Sequence, residues 1–116
     1  ARLHPISNEE LRHIGLDFSA VTGTPILAAA KGVVSYAGWK SGYGNTVEVD
    51  HGFGIMTRYA HSDRNLVEPG QVVARGEILA QVGSTGRATA SHVHYEVWKD
   101  GVAEDPRDYI LNGVIP

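Results

Sequence analysis

The chain has no cysteine. That excludes a disulfide framework, a thiolate metal site and a cysteine nucleophile, so any metal must be held by His, Asp or Glu. An excess of either charge is also missing: Lys and Arg number 10, Asp and Glu 13, and the formal charge is −3 at pH 7. Without a basic run, nucleic-acid binding has no support. No apolar run reaches the length of a membrane span, and Ala1-Arg2-Leu3-His4-Pro5 is not a signal peptide. If the protein is exported, its address lies outside this sequence. What is present is 116 residues, 42% of them hydrophobic, which suits one domain with a core of its own.

Ser91-His92-Val93-His94-Tyr95-Glu96-Val97 reads as a strand. Alternation puts His92, His94 and Glu96 on one face and Val93, Tyr95 and Val97 on the other. The apolar row is the core side, which leaves two imidazoles and a carboxylate on an open face in need of solvent or a partner. An isolated His-x-His pair is ordinary surface decoration. A second constellation upstream, His13-Ile14-Gly15-Leu16-Asp17, changes that reading. Two His and one Asp form a three-ligand set of the kind used by catalytic zinc, with a fourth position left for water. Fully extended, four residues would hold His13 and Asp17 about 13 Å apart, so the chain must bend near Gly15.

Along the chain, Ser7 and Glu10 form a capping box for a turn or two of helix. From Gly23 the pattern is short β segments at 24–30, 32–37, 45–51, 56–61, 71–74 and 77–82, punctuated by many of the 14 glycines. Alternation places Tyr59 and His61 on one face. Gly23-x-x-Ile26-x-Ala28…Gly32-x-Val34 echoes Gly70-x-Val72-x-Ala74-x-Gly76-x-Ile78, which suggests a duplicated β unit. Gly83-Ser84-Thr85-Gly86 resembles a phosphate loop only superficially, since no Gly-Lys-Ser/Thr follows. Asp105-Pro106 opens a short helix over 107–111 that Asn112-Gly113 stops. The expectation is an all-β domain of short antiparallel strands with helical turns at its ends.

Taken together, Arg2-Leu3-His4-Pro5, His13-Ile14-Gly15-Leu16-Asp17-Phe18, Gly23-Thr24-Pro25, Gly42-Tyr43-Gly44-Asn45, His51-Gly52, Tyr59-Ala60-His61, Gly83-Ser84-Thr85-Gly86 and His92-Val93-His94-Tyr95-Glu96-Val97 resemble the lysostaphin-type (LytM-like) zinc endopeptidases of bacterial cell walls. The resemblance runs in order to about Tyr109. It implies a barrel-like sandwich of antiparallel strands, of the duplicated hybrid motif type, with a groove over the sheet. It also implies a Zn2+-dependent hydrolase of peptide cross-links in peptidoglycan, located in the bacterial envelope, periplasmic or secreted. By position, the family's metal ligands fall on His13, Asp17 and His94, and its non-ligand active-site histidines on His61 and His92. Ser62 stands where the family commonly has Leu, and Ala90-Ser91 where it commonly has Gly-Pro; neither position carries a ligand. The Phe-Gly strand that usually precedes Arg-x-His-Pro is absent. Residues 1–116 are therefore expected to be a single peptidase domain, truncated at its N-terminus, with any regulatory or inhibitory domain outside it.

Under this resemblance His92 and His61 divide the roles of general base and oxyanion donor, in an order that spacing does not decide. Glu96 suits orientation of an imidazole better than general-base work, because HExxH is missing. His51 reads as structural, His4 as a turn or groove-rim residue, Tyr43 and Asn45 as turn formers, and Tyr59 as core or substrate contact. Three other readings compete. A biotinyl or lipoyl carrier lacks a hairpin lysine here, since Lys31, Lys40 and Lys99 have the wrong flanks, and a paired-His phosphocarrier would have no use for Asp17. An inactive relative that binds peptidoglycan or activates a cell-wall amidase would have lost ligands that this chain keeps. A different metallohydrolase could use the same three ligands. The mildly acidic balance and the Arg-x-His-Pro opening favour Gram-negative members and the D-Ala to diamino-acid cross-link.

Overall fold

A computed structural model of the chain describes residues 15–86, 88 and 90–106. His4, His13 and the helical turns expected at 7–12 and 107–111 lie outside the described residues. Those described form strands β1 (Leu16–Ser19), β2 (Pro25–Leu27), β3 (Gly32–Lys40), β4 (Gly44–Gly52), β5 (Ile55–Asn65), β6 (Val72–Val73), β7 (Ile78–Val82), β8 (His92–Lys99) and β9 (Val102–Glu104), with no helix among them. Every pairing is antiparallel. The main path runs β1-β8-β5-β4-β3-β6, with β7 joining β5 to β2 and β9 flanking β8. The all-β expectation holds, and the sheet folds over itself as a sandwich without closing.

The strands form where Val, Ile, Tyr and Thr alternate, because branched and aromatic side chains fit a pleated surface buried on one side. Val34, Val47, Val49, Leu79, Val82, Tyr59, Tyr95 and Val97 make the core, each at most 2% exposed. Fully burying such a side chain stabilises the fold by roughly 1.5–3 kcal/mol. Tyr59 and Tyr95 face each other across β5 and β8 with ring centroids 5.3 Å apart. The Tyr59 hydroxyl accepts from the buried amide of Ala29 at 2.9 Å and lies 2.8 Å from Thr57 Oγ1, so Tyr59 is a core residue.

The internal echo has a structural counterpart, in that the two echoing segments pair with each other reciprocally. β2 pairs with β7 (Ile26 opposite Ala80) and β3 with β6 (Gly32 opposite Val73). Ala28 exchanges backbone bonds with Glu77 and Gly76, and Val34 with Gln71 and Gly70.

Two strands were not foreseen. β9 follows a two-residue turn, Asp100-Gly101, with both φ positive (51° and 80°), the hairpin geometry that Asp-Gly favours. β1 lies along the outer edge of β8, with Asp17 opposite His94 and Ser19 opposite His92.

Candidate metal centre and active site

β8 keeps its alternation: Tyr95 and Val97 enter the core, while His92, His94 and Glu96 face the other way. The second face is less open than expected. Glu96 is fully buried, because two rows of side chains cross the sheet there. In one row Ala60 of β5 and Asp17 of β1 flank His94, and in the next Glu48 of β4 and Glu96 of β8 flank Arg58 of β5.

In the first row Asp17 Oδ1 lies 2.8 Å from His94 Nδ1. The other nitrogen of that ring, Nε2, donates to Glu96 Oε2 at 2.9 Å, so the ring stands between two carboxylates with Nδ1 turned toward the one on β1. Burial alone would lower the His94 pKa, but its bonds to Glu96 and Asp17 outweigh that and raise it. Glu96 shows the mirror case: burial favours its protonated form, yet bonds from His94 and Trp98 and the charge of Arg58 hold its carboxyl below the usual range. Gly15 sits at a bend, as the spacing required, and it meets a second demand. A Cβ there would lie 2.7 Å from the Tyr95 carbonyl and 2.8 Å from His94 Cε1.

His61 departs from its predicted face. Between the pairs Val47–Tyr59 and Asn45–Ser62, β5 holds one residue more than β4, a bulge, and His61 takes a φ of +66°. The extra residue breaks the alternation, so Tyr59 stays in the core while the His61 ring turns to within 4.9 Å of His92 and 6.1 Å of His94. Such a φ is uncommon for a residue with a side chain and is held here from both sides. The His61 amide donates to the Tyr43 carbonyl at 2.8 Å, and its Nδ1 donates to the Thr85 carbonyl at 2.6 Å. Burial, reinforced by the neighbouring imidazoles His92 and His94, lowers the His61 pKa. His92 is tied in the same way, Nδ1 donating to the Ala90 carbonyl at 2.8 Å with Nε2 3.6 Å from Asp17 Oδ1. Each ring is thus held through Nδ1, and the Nε2 of His92 faces the Asp17 carboxylate.

The Gly83-Ser84-Thr85-Gly86 loop is part of this arrangement. Thr85 Oγ1 donates to the Ser62 carbonyl at 2.7 Å and accepts from the Asn45 amide at 3.1 Å, while Asn45 Nδ2 donates to the Ser62 and Asp63 carbonyls. Asn45 thus binds two strands and the loop together. Tyr43 is more than a turn residue: its ring lies 6.1 Å from that of His94 and 4.9 Å from the Arg58 guanidinium. His51 is apart from the site, bonded to the Lys31 carbonyl and Thr57 Oγ1, as a structural histidine would be.

Arg58 had no place in the sequence reading, and Thr85 entered it only within the Gly83-Ser84-Thr85-Gly86 stretch, with no role of its own. Nothing local marks either, because their partners come from distant strands.

The described residues bring Asp17, His61, His92 and His94 together; His13, the remaining site residue expected from the sequence, lies outside them. The donor set fits a metal as far as it is described, with a carboxylate facing an imidazole nitrogen whose ring is anchored from behind. Peptidase family M23 matches residues 11–106. This chain belongs to that family. The metalloendopeptidase class expected from the sequence goes with membership. The M23 chain is 43% identical over 105 residues to the DD-carboxypeptidase/endopeptidase Mpg of Neisseria meningitidis serogroup B, covering 90% of this chain and 24% of that protein. It spans about a quarter of the curated relatives it matches. Among solved structures, the catalytic domain of lysostaphin from Staphylococcus simulans superposes with a TM-score of 0.80 at 32% identity, covering 85% of this chain and 79% of that one. A zinc-containing peptidase from Vibrio cholerae gives 0.77 at 36%, covering 80% and 29%. These neighbours bear out the fold class read from the sequence.

Proposed function

We propose that this domain is a zinc endopeptidase of the bacterial envelope that hydrolyses peptide cross-links of peptidoglycan. His13, Asp17 and His94 would hold the metal, and His61 and His92 would act on the substrate. The observation that carries this reading is the approach of Asp17 Oδ1 to His94 Nδ1 at 2.8 Å, beside two histidines whose Nδ1 protons are already committed to carbonyls. Bound there, zinc would supply a Lewis acid and lower the pKa of a coordinated water toward roughly 7. His61, kept unprotonated by burial, has Nε2 ready to take the proton of the attacking water. His92, once protonated, donates to the oxyanion that develops on the scissile carbonyl. Residues 1–116 form one such domain within a longer protein that is periplasmic or secreted. The likeness to a protein named a DD-carboxypeptidase/endopeptidase supports the D-Ala to diamino-acid cross-link as the bond.

The test is metal content of the purified chain, run beside digestion of one Gram-negative and one glycine-bridged peptidoglycan with products sized by mass spectrometry. One zinc per chain and new products from the Gram-negative wall are expected. A chain that binds no zinc and releases nothing from either wall would sink the reading.

A further inference from the structure

Glu48, Arg58 and Glu96 stand in register on three adjacent strands, directly beside the row that holds Asp17 and His94. Arg58 Nε donates to Glu48 Oε2 at 2.8 Å, and Arg58 Nη1 donates to Glu96 Oε1 at 2.7 Å. Its guanidinium carbon lies 4.9 Å from the Tyr43 ring and 5.1 Å from the Trp98 ring. The plane of the group is therefore set by two carboxylates and two aromatic faces at once. Trp98 Nε1 adds a second donor to Glu96 Oε1 at 2.8 Å. With Oε1 held by two donors, Oε2 is directed at His94 Nε2.

We propose that Arg58 is a positioning residue for the metal site: by gripping Glu96 it fixes the rotation of the His94 ring, so that Nδ1 faces Asp17 before any metal arrives. The metal part of this inference rests on the function proposed above; the positioning part rests on the geometry alone. Two features separate this role from a plain structural ion pair. A buried ion pair adds little net stability over apolar residues of the same volume, so stability does not account for charges placed here. And one oxygen of Glu96 is held by Arg58 and Trp98 while the other is turned to His94. Lysine could not do the same, since a single ammonium lacks the planar fork that meets Glu48 and Glu96 together and stacks between rings.

The test compares the intact chain with Arg58→Lys and Glu48→Gln, using 15N-histidine NMR of the metal-free proteins, zinc affinity by competition with a chromophoric chelator, and melting temperature. The parent chain should show His94 as one ordered ring whose Nε2 proton is protected from exchange with water. In Arg58→Lys that protection should be lost and zinc should bind about 10–100-fold more weakly, the range for loosening an outer partner of a metal ligand. Glu48→Gln, which frees one end of Arg58 without touching Glu96, should move affinity the same way by less, and it carries the test if Arg58→Lys does not fold. A folded variant with unchanged protection of the His94 ring proton and unchanged zinc affinity would overturn the proposal, whatever its melting temperature. If the parent binds no zinc while Arg58→Lys loses that protection, the metal reading fails and the positioning role stands.

Discussion

Gly44 and Gly86 meet backbone to backbone: a Cβ on Gly86 would lie 2.5 Å from the Gly44 nitrogen, and one on Gly44 would lie 2.7 Å from the Gly86 nitrogen. Both take positive φ, 72° and 75°. The contact locks the turn before β4 onto the loop whose Thr85 carbonyl holds His61.

Gly86→Ala should therefore harm catalysis through position. Steric overlap and the left-handed φ together should cost about 1–3 kcal/mol of stability, and the displaced Thr85 carbonyl should release His61. Turnover is expected to fall while zinc content stays at the parent level; thermal unfolding, peptidoglycan digestion and metal analysis check the three parts.

The histidines should separate by role. His94→Ala should lose metal and activity together. His61→Ala and His92→Ala should keep the metal and lose turnover by about 10²–10⁴-fold, the usual contribution of a positioned acid or base. Metal analysis of the three purified variants decides it, and loss of metal from His92→Ala would reverse the roles within the His-x-His pair.

His61 gives a pH prediction. Its pKa is lowered in the fold, burial being the main cause, so the unfolded chain binds a proton there at a higher pH than the folded one does. The His61 contribution to stability is then complete above the ordinary histidine value of about 6.5 and shrinks as pH falls from there to the lowered value. As a base, His61 should likewise set an acid limb of kcat/KM below 6.5. An NMR titration showing His61 protonating at or above 6.5 would contradict both statements.

Gly15→Ala places a methyl group against the His94 ring and the Tyr95 carbonyl, closer than a real Cβ approaches. Zinc affinity should fall, since a metal ligand would be pushed from its seat. Chelator competition measures this, and unchanged affinity in a folded variant would show that the ring moves aside freely.

Tyr59→Phe should act on stability alone. The buried Ala29 amide loses its acceptor, at a cost of about 1–3 kcal/mol, while the site on the opposite face of β5 keeps its geometry. Chemical denaturation should show the loss and peptidoglycan digestion should not. Burial pushes the Tyr59 phenol to about 12, so it should be among the last tyrosines to ionise in an alkaline titration.

What could be read from the sequence follows the reach of each physical rule. Period-2 alternation exposed the His92–Val97 strand and the main strands of the core, because it is a local property of a half-buried surface. It failed at His61, where one inserted residue reversed the phase and no glycine marked the left-handed φ. β1 was missed for another reason: Leu16-Asp17-Phe18-Ser19 alternates over only four residues, too short a run to stand out, and it is a strand because the edge of β8 offers it partners. β9 could have been found, since Asp100-Gly101 is a hairpin signal. Arg58 could not, because its role exists only once β4, β5 and β8 are in register.

The reciprocal pairing of β2 with β7 and β3 with β6 also bears on how the chain reaches this state. Each pairing closes a long loop, and such contacts slow folding because chain entropy is lost before they form. During synthesis, β2 and β3 emerge well before the strands that complete them, and their unpaired edges stay open to other chains in the interval. The two halves must finish folding together, and a cut between Asn65 and Gly70 would leave two fragments that fold only in each other's company.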